Sequence, residues 1–307
     1  MSAVDIIIVN WNAGPQLKDC LEAIERSDTH GIEWGRIVVV DNASEDGSVE
    51  GVASLQIPLL VIRNNSNRGF GAACNQGAGQ SKADFLLFLN PDAKLLSDSL
   101  PRAVECLAQG ASIKVGIVGI QLLDSKGNVS RTCARFPTPT RLVIQMLGLS
   151  ALFPNLFHGL FMSDWDHSET REVDHVMGAF YLIRRDLFEA LTGFDERFFV
   201  YQEDLDLSVR ARKAGWKSLY FAGAQAYHKG GGTSEQVKAQ RLAYALHSRL
   251  LYAYKHFSYA TATCLLIGTF TLELVARLVR ALIQRSPARA LETLYGYVLL
   301  IRRPTRK

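Results

Sequence analysis

The sequence predicts an α/β fold with a doubly wound sheet, followed by a basic helical appendage. Three observations carry this. Short apolar runs alternate with helix-compatible segments through the first half, as in successive βαβ units. Polar residues recur where those runs end, and open α/β sheets bind ligands beyond the carboxyl ends of their strands. The last quarter turns helical and strongly basic.

In order along the chain, residues 5–10, 36–41, 58–63 and 84–89 hold unbroken apolar runs between polar or proline ends rather than an alternation, as in strands buried on both faces. Between them, helix-compatible segments lie near 15–27, 46–54 and 69–80. The strand ends carry Asn10 with Asn12, Asp41 with Asn42, residues 64–68, and Asn90 with Asp92, all expected to face one crevice. Further on, 115–123 and 174–183 read as strands, and 136–167, aromatic and poorly periodic, as a long loop or lid with short helices. A strand over 218–222 precedes helices over 236–257 and 261–284.

The net charge of +4 hides an asymmetry. Residues 236–307 hold twelve basic side chains against Glu273 and Glu292, an excess of ten, which leaves 1–235 at −6. The expected organisation is a domain over 1–234 and an appendage over 235–307 whose partner is anionic. No nucleic-acid partner is expected. Glu273, Arg277 and Arg280 argue against a spanning helix in 261–284. An amphipathic helix in the membrane interface, aided by Arg302, Arg303, Arg306 and Lys307, suits the pattern better. The competing expectation is a helical pair packed on the body or on another subunit as a homo-oligomer. The first residues show no secretory leader pattern. Five scattered cysteines without a CxxC pair fit reduced thiols, not a disulfide framework or zinc site. Together these place the protein in the cytoplasm, peripheral at the inner face of the membrane.

Glu203, Asp204 and Asp206 crowd into four positions directly after Phe198, Phe199 and Tyr201. Like charges this close raise at least one carboxylate pKa, as a general base near neutral pH requires. Acidic residues also complement a helix dipole at its N-terminus. Asp41, at the end of the second strand, can accept from a pyrimidine N3–H or a ribose hydroxyl, or act as a cap, a role that falls more naturally to Ser44 or Asp46. The loop Asn67-Arg68-Gly69-Phe70-Gly71 opens a helix whose free N–H groups suit a phosphate, with Arg68 adding charge. It is not a dinucleotide fingerprint: Cys74 replaces the third glycine, and the loop follows the third strand, not the first. Asp92 in Leu89-Asn90-Pro91-Asp92 offers an oxygen ligand to a divalent cation. His228, ahead of Gly230-Gly231-Gly232, is a candidate second ligand. Arg184 and Arg185 either approach a diphosphate or cap a strand.

The order Val-Asn-Trp-Asn (9–12), Val-Val-Asp-Asn-Ala-Ser (39–44), Asn-Arg-Gly-Phe-Gly (67–71), Leu-Asn-Pro-Asp (89–92), Gly-Ala-Phe with Arg184-Arg185, Gly-Phe-Asp-Glu-Arg-Phe-Phe through Glu203-Asp204-x-Asp206-Leu207, and His-x-Gly-Gly (228–231) resembles the family 2 glycosyltransferases. Within them the resemblance is to the branch holding bacterial rhamnosyltransferases of cell-surface polysaccharide and O-antigen synthesis, over about residues 3–234. It implies a GT-A fold with a mixed sheet, a nucleotide-diphosphate sugar donor, inversion at the anomeric carbon and a divalent metal, Mg2+ or Mn2+. It also implies roles. Asp41 would contact the base; Asn67 and Gly69, with Asn10, Asn12 and Arg68, would line the nucleotide pocket. Asp92 and His228 would hold metal or diphosphate. Asp204 would deprotonate the acceptor hydroxyl, with Glu203 as its modulator and Asp206 structural, orienting Arg210 one turn on. Asn90 stands where many relatives have a second aspartate, so metal binding is weaker or depends on donor phosphates. His175 stands where relatives often have tryptophan, a change to the acceptor pocket. The expected reaction moves L-rhamnose from dTDP-rhamnose to a polyprenol-linked or polysaccharide acceptor. A UDP-sugar donor and a catalytically silent nucleotide-sugar-binding scaffold are the alternatives. A nucleotidyltransferase would need a Gly- and Lys-rich signature that residues 10–14 do not supply.

Overall fold

The computed structural model describes residues 2–52, 55, 57–230 and 237–302, Ala151 by its backbone alone. Residues 53 and 54 of the helix expected over 46–54, Gly231 and Gly232, Gln236, and Arg303, Arg306 and Lys307 lie outside the described residues.

The first half forms β1 (Ser2–Asn10), α1 (Pro15–Glu25), β2 (Ile32–Asp41), β3 (Leu59–Arg63), α2 (Phe70–Ala78), β4 (Phe85–Leu89), β5 (Ala93–Leu95) and α3 (Ser99–Gln109). The middle adds β6 (Val115–Leu123), α4 (Pro139–Met146), α5 (Leu149–Leu152), β7 (Arg171–Val173), β8 (Phe180–Arg184), α6 (Arg185–Ala190), α7 (Glu203–Lys213) and β9 (Lys217–His228). The chain ends in α8 (Lys238–His256), α9 (Tyr259–Gly268), α10 (Leu274–Ile283) and α11 (Pro287–Arg302).

The strands form one sheet in the order β3-β2-β1-β4-β8-β6-β9-β5, with β7 also on β9. β3, β2, β1 and β4 are mutually parallel, β8 runs antiparallel to β4 and β6, and β6 and β9 are parallel. The sheet is mixed and covered on both faces, because strand side chains alternate. Ile6 and Ile8 join a core with Leu17, Leu21 and Ile24 of α1 and Leu100 and Leu107 of α3. Ile7 and Val9 join another with Ala73 and Cys74 of α2 and Leu207 and Ala211 of α7. α2 lies so close that a Cβ at Gly77 would sit 2.6 Å from the Ile7 side chain.

Several expected boundaries change. Among the described residues of 46–54, only a 3-10 turn, Glu50–Val52, forms. The strand expected over 174–183 is confined to β8. His175 instead exchanges both backbone hydrogen bonds with Ala134, and Gly178 N–H goes to a side chain, so neither residue can serve a longer ladder. The strand at 218–222 extends to His228, and 136–167 holds the short helices α4 and α5. α9 and α10 run on through a π-turn, Thr269–Glu273, as one 25-residue helix, long and apolar enough by length and composition to cross a membrane. α11 was not anticipated, although Ser286-Pro287 is a helix-start signal.

The C-terminal helices share cores with the body. Tyr252 of α8 packs with Phe198, Leu205 and Val209; Ala262 and Leu265 of α9 pack with Leu142 and Met146 of α4. Buried Arg249 pairs with Glu273, tying α8 to the π-turn.

Candidate active site

Parallel register brings the strand ends together: Asn10 pairs with Asp41, and Asp41 with Arg63 beside Asn64. Asn10 is fully buried; its Nδ2 lies 2.8 Å from Asp41 Oδ1 and Ser48 Oγ, and 3.0 Å from Ser44 Oγ. Ser44 Oγ donates to Asp41 Oδ1 at 2.6 Å and accepts from Asn12 N–H. Asn12 Oδ1 accepts from Glu45 N–H. Asn10 therefore lies beneath the crevice and orients Asp41, whereas Asn12 shapes the adjoining loop. Asn42 Oδ1 accepts from Asn64 Nδ2, and Asn42 Nδ2 donates to the Gly69 carbonyl. These amides link the ends of β2 and β3 to α2.

The Gly69 loop differs from the free phosphate cradle expected of it. Asn67 Oδ1 accepts Gly69 N–H, and Phe70 N–H, the first of α2, donates to the Phe199 carbonyl at 2.7 Å. Gly69 has φ of 91°, and a Cβ there would collide with that carbonyl, so glycine is required twice over. The helix start thus seats residues 198–200, and Arg68 remains exposed at its rim.

Antiparallel pairing of Ala93 with His228 sets Asp92 Oδ1 3.3 Å from His228 Nε2, both largely buried. Burial opposes the Asp92 charge, but the hydrogen bond and charge of His228 outweigh it and hold the carboxyl below its usual range. Among the described residues, no third His, Cys, Asp or Glu completes a metal-sized group with them. One carboxylate oxygen and one imidazole nitrogen fit a divalent cation that takes its remaining ligands from a diphosphate and water.

Tyr201 and Gln202 enter α7 with φ of 69° and 67°. Two consecutive left-handed non-glycine residues cost about 1–2 kcal/mol each, and here they turn the chain so that Glu203 and Asp204 begin the helix. Glu203 is buried, with Oε2 unpartnered among the described residues. Burial, then the Asp204 charge, pushes its carboxyl well above the usual range. Asp204 differs. Burial works against its charge, but His175 outweighs it, joined by the N–H groups of Leu205 and Gly178, and the carboxyl sits below its usual range. Gly178 N–H reaches Oδ2 at 2.8 Å and Leu205 N–H reaches Oδ1 at 2.8 Å. Burial, with crowding second, therefore raises Glu203, not the expected base; Asp204 is ionised throughout the neutral range. Asn90 N–H donates to the Ala179 carbonyl, which sets the Asp92 turn against the segment that grips Asp204.

Asp206 is wholly buried, bound by Arg210 Nε at 2.8 Å and by Lys255 Nζ and His256 Nε2 at 2.7 Å each. The expected Arg210 partner is there; the two from α8 were not foreseen. Arg184 and Arg185 lie at the other end of the sheet, where Arg184 pairs in register with Phe85. They bind the carbonyls of Val115, Leu107 and Ala83, so they brace strand ends and do not approach a diphosphate. A cavity of about 970 Å³ at that same end, lined by Asp5, Arg36 and Lys82, is also remote from Asp41, Asp92 and Asp204. Ser208 and Gly178, both tied to Asp204, were missed. The only signal was Gly178 in a recognised motif.

The sequence model of Glycosyl transferase family 2 matches residues 5–192. The N-acetylglucosaminyl-diphospho-decaprenol L-rhamnosyltransferase of Mycobacterium tuberculosis is 25% identical, over 95% of this chain and 97% of its own length. The rhamnosyltransferase WbbL of Escherichia coli K12 is 26% identical, over 73% of this chain and 83% of its own. Among solved structures, the mannosyltransferase PcManGT from Pyrobaculum calidifontis, in complex with GDP-Man and Mn2+, superposes with a TM-score of 0.55 at 19% identity. That match covers 99% of this chain and 81% of the other, and it establishes the GT-A-like fold.

Proposed function

The chain belongs to glycosyl transferase family 2, and from that premise we propose an inverting transfer of L-rhamnose from dTDP-rhamnose to a lipid-linked acceptor in cell-surface glycan synthesis. The observation that carries it is the crevice itself: a fixed carboxylate at its nucleoside end (Asp41), an Asp–His pair (Asp92 and His228) and an ionised carboxylate gripped by backbone N–H (Asp204). The sugar and the acceptor class follow the printed names of the relatives.

In this reading Asp41 receives the base or ribose, helped by Asn12, while Asn10 holds it from below. Asn67, Arg68 and Gly69 border the nucleotide pocket. The acceptor hydroxyl gives its proton to Asp204 as its oxygen attacks the anomeric carbon, and the bond to the diphosphate oxygen breaks on the opposite face. The bonding pair leaves with the diphosphate, and the configuration inverts. Asp92 and His228 would hold a divalent cation, Mg2+ or Mn2+, which supplies charge neutralisation to the leaving group. Neutral Glu203 shields Asp204 from a second negative charge. A screen of dTDP- and UDP-sugars by mass spectrometry tests the donor. Turnover of dTDP-rhamnose supports the reading, preference for a UDP-sugar replaces the donor, and binding without turnover favours a scaffold.

Residues 235–307 would hold this site at an anionic membrane. Ile267, Leu272, Val275, Leu282 and Ile283 of the long helix and Leu291 and Ile301 of α11 are more than half exposed, with Arg280, Arg285 and Arg289 nearby. The opposite face is fixed to α8 through Arg249 and Glu273, so the helix suits the interface better than a crossing. Leu282→Glu with Ile283→Glu should release the protein from anionic vesicles; unchanged sedimentation with dissociation of an oligomer would make the face a subunit contact.

A further inference from the structure

His175 lies between the proposed base and a buried hydroxyl chain. Its Nε2 is 3.5 Å from Asp204 Oδ2 and its Nδ1 is 3.0 Å from Ser208 Oγ. Ser208, one turn beyond Asp204 on α7, is 3.0 Å from the Asp204 carbonyl and 3.0 Å from the hydroxyl of Tyr181. Tyr181 is fully buried, and that burial pushes its phenol pKa up, so it stays protonated. The backbone of His175 is pinned to Ala134 on both sides, which leaves the ring little freedom.

Of the two neutral tautomers of His175, only one satisfies every group. Tyr181 donates into Ser208 Oγ, and Ser208 has one proton to pass on. Given to His175 Nδ1, it leaves Nε2 protonated and facing the carboxylate, and every group is satisfied. Given to the Asp204 carbonyl, it leaves a neutral ring with a bare Nε2 lone pair against an anion. We propose that His175 is a positioning residue for Asp204: with its tautomer set by Ser208 and Tyr181, its Nε2–H holds Oδ2, and Oδ1, which accepts Leu205 N–H, keeps a second lone pair for the acceptor proton. This rests on the reading of Asp204 as base. At 3.5 Å the contact is long, as catalytic hydrogen bonds commonly are before substrate closes the site. The titratable groups around the ring are Asp204 from α7, Tyr181 from β8 through Ser208, and Asp174 on its own segment. Asp174 Oδ2 accepts Phe136 N–H, and its other oxygen lies 4.0 Å from Arg212.

Histidine-selective 15N NMR of the whole protein near pH 7.5, with His175 assigned by its loss in His175→Gln, should show the Nε2–H tautomer. Ser208→Ala should mix the two tautomers. The Nδ1–H tautomer, or a ring protonated on both nitrogens, in the unmodified protein overturns the proposal. For dTDP-rhamnose turnover, His175→Ala should lower kcat/KM about tenfold and move its acid limb up by about one pH unit, since a carboxylate loses a stabilising donor. His175→Gln, which keeps an N–H donor, should restore the limb. An unmoved limb in His175→Ala overturns the positioning role. Full turnover in Asp204→Asn would sink the base reading alone, because the tautomer is read without any donor.

Discussion

Asp204 and Asp206 are the same side chain two positions apart on α7, yet their surroundings share almost nothing. Asp204 opens on the crevice, held by Gly178 N–H and His175, while Asp206 is sealed under α8 by Arg210, Lys255 and His256. Helix geometry explains the split: at about 100° per residue, two positions put side chains on nearly opposite faces. One face of α7 meets the strand ends, where chemistry sits; the other meets the C-terminal helices. Glu203, one position earlier, points at α2, where burial pushes its carboxyl well above the usual range. Three carboxylates in four positions thus belong to three environments.

The contrast can be broken one residue at a time. The largest effect is expected from Asp204→Asn, which should lower transfer by about 10³-fold, the scale of a lost general base, with Tm nearly unchanged. Asp206→Asn should do the reverse, destabilising by about 3 kcal/mol because Arg210 and Lys255 lose their shared anion and His256 loses a carboxylate partner. Its pH signature has a definite sign. The Asp206 carboxyl lies below its usual range: burial opposes its charge, but His256, Lys255 and Arg210 outweigh it. Its contribution is therefore present above the unfolded value near 3.9 and lost as pH falls below it. Denaturation scans between about pH 2 and 6 should show that acid loss in the parent and a weaker one in the variant. Gly178→Ala places a Cβ 2.7 Å from Asp204 Oδ2. It should cost about 1–3 kcal/mol of stability together with activity, measured by melting and turnover in parallel. The smallest effect is Glu203→Gln. A carboxyl whose folded pKa is raised loses stability as pH climbs past its unfolded value, so the amide should raise Tm at pH 7 by about 2 °C.

Much of this was legible in the sequence where one physical rule governs. Residues 6–9 and 85–89 are unbroken apolar runs because both faces are buried, and β1 and β4 formed there. Asp92 and His228 were named as candidate ligands of one cation, and they meet through β5–β9 pairing. What was not legible depends on partners distant in the chain. No local pattern shows that Phe199 spends the first N–H of α2, that Lys255 and His256 reach Asp206, or that His175 faces Asp204. The strand expected over 174–183 failed for the same reason: Gly178 N–H serves a carboxylate 26 positions away. The direction of the Asp204 shift was also hidden, because crowding was visible in sequence and the compensating donors were not.

The most direct test of the central claim is donor turnover by Asp204→Asn and Asp206→Asn at equal concentrations of folded protein, with melting curves recorded alongside. Loss of transfer in a stable Asp204→Asn, with transfer kept by a less stable Asp206→Asn, is the predicted result. Wild-type transfer by Asp204→Asn would contradict it.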